Sequence, residues 1–433
     1  MFRWAALIAP FGYEFKYEWA PARIREAMAG FAIGKFGFPR HGAPFNLGAE
    51  MAEGKNNETI PVFKPLIGPE ELGAARESLE QGWLGMGASV GAFEDGLAEF
   101  LELRDRHVVA VNTGYSALHL AFLLADVGPG DEVITPSFNN IADFQAILAT
   151  GAKPVFCDIL DETLCIDVAK AAELVTPRTK AIVAMDYDCC LADHGAVSAL
   201  AAKHGIRVVH DAAHSFGSHL NGKKVGSFSD LCMFSFDPVK TITTIDGGAL
   251  VVRTEEEVAK MHEMRLIGMS QPAKVMYGNQ RAWTYDVSRI GYRYHMANLH
   301  AAIGLSQLKK MPEISRSRQD ACKLYNELLA GVEQVRTPLS DFAEVTPFLY
   351  YIRVAAEHRQ PLRDHLKAEG IDTGIHWQPG HWFSLLAEER RGDLGVTDKA
   401  GHEILSLPLH SLMPDSVVER VCASISGYFA GNR

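Results

Sequence analysis

The residues best placed to do chemistry lie in one run: Phe234-Ser235-Phe236-Asp237-Pro238-Val239-Lys240-Thr241, continuing through Ile242-Thr243-Thr244 to Asp246-Gly247-Gly248. A lysine just past a short aromatic strand, among small hydroxyl residues and before a Gly-Gly turn, is costly to place unless something holds it. Its amine can attack a carbonyl carbon and form a Schiff base. Taken alone, Lys240 is more simply a surface lysine in a loop, so its reading depends on partners elsewhere in the chain.

Three further groups offer such partners. In Val208-Val209-His210-Asp211-Ala212-Ala213-His214 an acid ends an apolar strand, two alanines leave room beside it, and a histidine follows three residues on. In open α/β sheets, ligands bind at the carboxyl ends of strands. A carboxylate there can hold a cationic ring nitrogen, as the pyridine of pyridoxal 5'-phosphate (PLP) requires if the ring is to draw electrons from a substrate carbon. His214 could bond the ring hydroxyl; the simpler reading of Asp211 is a helix cap. In Val111-Asn112-Thr113-Gly114-Tyr115-Ser116 a strand turns at a glycine into a helix, and the free N–H groups of such a turn suit a phosphate. Gly291-Tyr292-Arg293-Tyr294-His295-Met296-Ala297-Asn298 packs donors before a helix and could serve a phosphate in a neighbouring subunit. The order of phosphate turn, strand-end Asp211 and then Lys240 is the order used by fold type I PLP enzymes.

These residues must be positioned by alternating elements. Pro69–Gln81 and Val90–Leu101 read as helices. Strands are expected at His107–Val111, Val133–Thr135, Val155–Asp158, Ala181–Asp186 and Val208–Asp211, with helices at Ser116–Ala125 and Gly195–His204. Short apolar strands alternating with helices predict a mostly parallel, seven-stranded α/β sheet covered on both faces. A long helix is expected from Leu299 through Leu308 and past Pro312. Beyond it lie a strand at Leu349–Val354 and helices at Gln360–Gly370 and Asp415–Phe429. The domain reading is an N-terminal extension over 1–55 that is loosely ordered apart from a short helix near Pro21–Phe31, a large cofactor domain over 56–300, and a small α+β domain over 301–433. Met28 or Met51 could equally be the true start.

Composition narrows the function classes. The chain has 433 residues, long enough for two or three domains, with 42 basic against 53 acidic residues and a net charge of −11. No Lys/Arg stripe points to nucleic acid. The seven cysteines are scattered without a Cys-x-x-Cys pair, which points to reduced thiols and no zinc site. No apolar run has membrane-span length and no secretory leader is evident, so a cytoplasmic location is expected. Gly85-Met86-Gly87 only faintly imitates a dinucleotide loop, since a helix precedes it.

From about Ile60 to its end the chain resembles the DegT family of PLP-dependent nucleotide-sugar aminotransferases. The matching segments include Ile60-Pro61-Val62-Phe63-Lys64-Pro65, Gly82-Trp83-Leu84, Phe93-Glu94 and Gly128-Pro129-Gly130-Asp131-Glu132-Val133-Ile134-Thr135-Pro136-Ser137-Phe138. Thr150-Gly151-Ala152-Lys153-Pro154-Val155-Phe156, Thr176-Pro177-Arg178-Thr179-Lys180-Ala181-Ile182 and Leu407-Pro408-Leu409-His410 also match. The resemblance implies that Lys240 is the Schiff-base lysine, Asp211 the partner of the pyridine nitrogen and His214 the neighbour of the ring hydroxyl. Ser235 and the turn Gly114–Ser116 would hold the phosphate. It also implies a homodimer in which Arg293, His295 and Asn298 reach into the partner's site.

The expected reaction moves an amino group from an amino acid, L-glutamate by the family's habit, to a keto sugar on a nucleotide. Its product would serve surface polysaccharide or an antibiotic. The chain departs from the family at Gly114-Tyr115, where Gly-Thr is usual, and at Asn139-Asn140, where an aromatic commonly stacks on the ring. It departs again at Asp188-Cys189-Cys190, where Ala-Gly or Tyr-Gly is frequent. The substrate pocket is expected to involve Phe138, Asp186, Tyr187, His376 and Trp377. Two rivals are a PLP-dependent sugar dehydratase and a non-catalytic regulator of the same fold. Lys240, with no cysteine cluster, favours transamination over the first, and the joint presence of Lys240, Asp211 and His214 argues against the second.

Overall fold

The computed structural model describes residues 59–270 and 273–431; the expected extension over 1–55, with its helix near Pro21–Phe31, lies outside them. The strands, in chain order, are β1 His107–Val111, β2 Glu132–Pro136, β3 Lys153–Cys157, β4 Thr179–Met185, β5 Arg207–Asp211, the short pair β6 His219–Leu220 and β7 Lys223–Lys224, β8 Leu231–Ser235, β9 Gly248–Val252, β10 Tyr350–Arg353 and β11 Ile404–Leu407. Seven of them form one sheet in the order β1-β9-β8-β5-β4-β2-β3. β2, β3, β4, β5 and β8 pair in parallel, whereas β9 runs antiparallel to both β8 and β1. The chain is thus a fold type I α/β protein with a mostly parallel sheet.

Parallel strands buried on both faces should read as unbroken apolar runs. Ala181–Met185 of β4 and the apolar part of β5 do so, and those five residues of β4 are all buried. Register brings the functional strand ends level: Asp211 pairs across to Met185 on one side and Met233 on the other. Ser235 and Val111 both pair with Gly248. That last junction is tight, since a Cβ on Gly248 would lie 2.5 Å from the Thr113 carbonyl oxygen. The carboxyl ends of β1, β5 and β8 are thereby fixed as one ledge.

Two helix starts aim at that ledge. Thr113 caps the helix Gly114–Leu124, its Oγ1 accepting from Ser116 N at 3.0 Å. Asn140 caps the helix Ile141–Ala149, its Oδ1 accepting from Ala142 N at 2.8 Å. The long helix expected through Pro312 is two helices, Asn298–Lys309 and Met311–Leu329. Proline lacks the N–H needed to continue a ladder and suits a helix's first turn, so Pro312 starts the second helix. The β10–β11 ladder stands downstream, and its Tyr350, Ile352, Leu405 and Leu407 share a core with Ile134, Val155 and Ile182 of the large sheet. One apolar core therefore continues past residue 300.

Candidate active site

A cavity of about 470 Å³ opens over the ledge. Gly114, Tyr115, Asn140, Asp211, His214, Ser235, Lys240, His376 and Trp377 all line it. So do Phe63, Asp143 and Phe348, which the sequence reading did not single out. Lys240 stands half-buried on the loop after β8, its Nζ 4.1 Å from the centre of the Phe348 ring. Burial pushes its pKa below that of an ordinary lysine, against the pull of the Asp211, Asp237, Asp188 and Asp143 carboxylates. A lysine so placed is more readily available as a free amine.

Asp211 is buried at the end of β5, and its Oδ1 accepts from Ala213 N at 2.9 Å. His214 is also buried, and its Nδ1 lies 2.8 Å from Asp188 Oδ1. Burial, and then the Lys240 charge, push His214 well below the usual histidine value, so its imidazole is neutral. Burial raises the Asp188 carboxyl to about 7, against the opposing pull of His376 and Lys240. Asp188 also holds a φ of 48°, where non-glycine residues are uncommon. His376 is pushed down to about 4, chiefly by burial. Above Lys240 an aromatic wall assembles. Phe63 stacks on Phe348 at 5.5 Å, His214 lies 4.7 Å from Phe348, and Trp377 stacks with His214 at 5.8 Å.

The phosphate turn has a cradle's shape. No carbonyl within their own helix can reach the first-turn N–H groups of Gly114 and Tyr115. A Cβ at Gly114 would come within 2.8 Å of Ser235 Cβ and Oγ, so glycine alone lets the turn approach that hydroxyl. Ser116 is engaged elsewhere: it is buried and its Oγ donates to Asn112 Oδ1 at 2.7 Å. Asn140 lines the cavity while serving as a helix cap.

Other expected residues lie apart. Phe138, Asp186 and Tyr187 are buried beneath the cavity rather than lining it. Phe138 packs on Tyr187, whose hydroxyl donates to the His376 carbonyl. Asp186 accepts from Ala192 N (2.9 Å), His194 Nε2 (2.8 Å), His210 Nε2 (2.7 Å) and Ser215 Oγ (2.6 Å). Burial opposes its charge, yet the imidazoles of His210 and His194 hold it far below the usual carboxylate range. Asp186, His194 and His210 place ligand-type atoms within 4.8 Å of one another. Hydrogen bonds already engage both carboxylate oxygens and both Nε2 atoms, which accounts for the cluster without an ion. Arg293 and His295 line a second cavity, of about 240 Å³, with Trp83 and Trp283. Asn298 is buried, its Oδ1 accepting from Ser89 N and its Nδ2 donating to Trp83 O.

Comparison with known proteins fits this geometry. The model of the DegT/DnrJ/EryC1/StrS aminotransferase family matches residues 65–426. The chain belongs to that family. It is 35% identical over 386 residues to the spore coat polysaccharide biosynthesis protein SpsC of Bacillus subtilis, covering 87% of this chain and 99% of that protein. Helicobacter pylori PseC, an aminotransferase involved in the biosynthesis of pseudoaminic acid, superposes with a TM-score of 0.79 at 27% identity, covering 86% of this chain and all of PseC. Spr1654 of Streptococcus pneumoniae, solved in a PLP form, gives 0.78 at 25% identity, covering 85% of this chain and 97% of that one.

The protein is a transaminase, and its cofactor is PLP. The residues present fit that group: a lysine of lowered basicity, a buried carboxylate, a neutral imidazole and a glycine turn open to phosphate, all on one cavity.

Proposed function

We propose that this member of the family is a sugar aminotransferase that takes an amino group from L-glutamate and gives it to a keto sugar carried on a nucleotide. We read its product as an amino sugar for surface polysaccharide or an antibiotic. The observation that carries the reading is the placement of Lys240 on one cavity with Asp211, His214 and the Gly114 turn. When bound, the cofactor supplies an electron-withdrawing ring that stabilises negative charge at the carbon losing its proton.

The chain's own residues do the rest. Lys240 Nζ would anchor the cofactor covalently, and its amine is the group placed to take up and return a proton as base and then acid. Its depressed basicity suits both tasks at neutral pH. Asp211 holds the ring nitrogen in its charged form, and its Ala213 N–H contact fixes the carboxyl's orientation. His214, neutral and backed by Asp188, would hold the ring hydroxyl. Ser235 and the N–H groups at Gly114 and Tyr115 hold the phosphate. Phe63, Phe348, His376 and Trp377 form the substrate wall and exclude water. Trp377 Nε1, buried without a partner, is a donor awaiting a polar ligand.

We read residues 301–433 as a small domain that closes this wall over the large one, and we take the working form to be a homodimer. Trp283, 87% exposed, and Ile290, 82% exposed, are the kind of side chain a partner subunit would cover. Arg293 would then approach the partner's cavity. Incubation with isotopically labelled glutamate and a panel of nucleotide-linked keto sugars tests the reading. Label should enter one sugar and leave 2-oxoglutarate. Consumption of glutamate with no labelled sugar from any member would exclude this substrate class.

A further inference from the structure

Asp143 is a buried carboxyl with no assigned task. It lies on the first turn of the helix Ile141–Ala149, three residues after the Asn140 cap, and has no exposed surface. It lines the same cavity as Asp211. Neither of its carboxyl oxygens has a hydrogen-bond partner. Asn139 is the nearest amide, but its Nδ2 is also without a partner. Asp186, one strand away in the sheet, shows what a buried carboxylate usually requires: it accepts from a backbone N–H, a hydroxyl and two imidazoles.

Asp211 lines the same cavity, and its carboxyl is the charged group that acts most strongly on Asp143. Two ionised carboxylates can only accept, so neither could bond the other, and their charges repel in a poorly solvated place. One proton changes this, turning the contact into an O–H···O⁻ hydrogen bond. Asp143 is the better holder of that proton. Asp211 already takes a backbone N–H from Ala213, whereas Asp143 has no donor. Lys240 also faces both carboxyls, and Asp188 stands farther along the same cluster.

We propose that Asp143 is a positioning residue for Asp211, donating its own carboxyl proton in a hydrogen bond that orients Asp211 toward the cofactor ring. The pair then presents one negative charge, which matches the single positive charge of a protonated ring nitrogen. A doubly ionised pair would overcompensate it. This rests on the assignment of Asp211 to the ring nitrogen.

Two measurements test it. The first is infrared spectroscopy of the cofactor-free chain in H₂O against D₂O, at a pH above the Asp188 value of about 7. It should show a neutral carboxylic acid band that Asp143→Asn removes and Asp188→Asn keeps. Absence of the band, or its survival in Asp143→Asn, overturns the proposal. The second is binding of PLP labelled at the ring nitrogen. Asp143→Asn keeps a donor and should hold cofactor within about twofold of the parent, with the nitrogen resonance in place. Asp143→Leu should bind roughly tenfold more weakly and move that resonance, the loss of one charge-assisted hydrogen bond. Equal effects in both variants would make Asp143 a packing residue and contradict the proposal. If Asp211→Asn leaves the nitrogen resonance unmoved, the Asp211 assignment fails while the infrared result stands on its own.

Discussion

Two buried clusters of aspartate and histidine sit close together in this protein and are built to opposite rules. Around Asp186, both carboxylate oxygens are bonded, by His194, His210, Ser215 and the Ala192 amide. Around Asp188 and His214, the contact is 2.8 Å, yet both Asp188 oxygens and His214 Nδ1 lack an aligned hydrogen bond. Trp377 Nε1, on the same side, is also unsatisfied. Unpaired polar atoms in an interior cost on the order of 1–3 kcal/mol each. They are kept where a ligand completes them, whereas a satisfied cluster ties elements together. The Asp186 cluster pins β4, β5 and the helix His194–His204, and the cavity cluster awaits its cofactor and substrate.

Substitutions in the two clusters should therefore fail differently. The largest effect is expected at the cavity's centre. Lys240→Ala should lower turnover by about 10²–10⁴-fold from lost proton transfer alone, and further because the anchor is gone, while leaving the melting temperature of the cofactor-free protein near the parent value. Steady-state assay and thermal denaturation read the two arms.

Asp186→Ala should do the reverse. It strips two buried imidazoles and a hydroxyl of their shared acceptor, at a cost of roughly 3–5 kcal/mol in denaturant unfolding. The cofactor affinity of the protein that remains folded should change little. A strong, selective loss of cofactor binding without loss of stability would erase the distinction between the clusters.

A smaller effect separates them by pH. Asp188 has its carboxyl raised from 3.8 to about 7, so between those values the folded state binds more protons than the unfolded one. The contribution of Asp188 to stability should then fall as pH rises through that window and level off above it, by an amount on the order of 4 kcal/mol, while His214 and His376, both pushed below the usual histidine value, contribute the opposite slope. The parent should therefore lose stability relative to Asp188→Asn as pH rises across the window. Asp186, held far below the carboxylate range, contributes a slope of the opposite sign near the low end of the window and none in its upper half. Unfolding free energies of the cofactor-free protein across the window check this.

Much of this contrast was legible in the sequence, for reasons that differ by residue. Asp211 and Ser235 end strands, and Gly114, His214 and Lys240 follow strands within a few residues, where an unbroken apolar run stops and polar residues meet the carboxyl edge of the sheet. Asp186 also ends a strand, and by the same logic it was expected in the pocket. It instead turns toward the helix His194–His204, because two imidazoles and a hydroxyl there satisfy it better than the cavity would. Asp143 was overlooked because an acid in a helix's first turn is ordinary. Only the close approach of two distant segments makes it neighbour Asp211. Phe63 and Phe348 were hidden for the same reason, their stacking joining positions far apart in the chain. The helix break at Lys310 turns on a single proline, which the apolar periodicity passed over.

The central claim is that Lys240 is the cofactor's covalent anchor, and borohydride reduction tests it most directly. The parent protein loaded with PLP should retain cofactor after reduction and denaturation, with the label on the peptide that contains Lys240. Lys240→Ala should retain none. Label recovered on another lysine, or retained by the Lys240→Ala variant, would contradict the account.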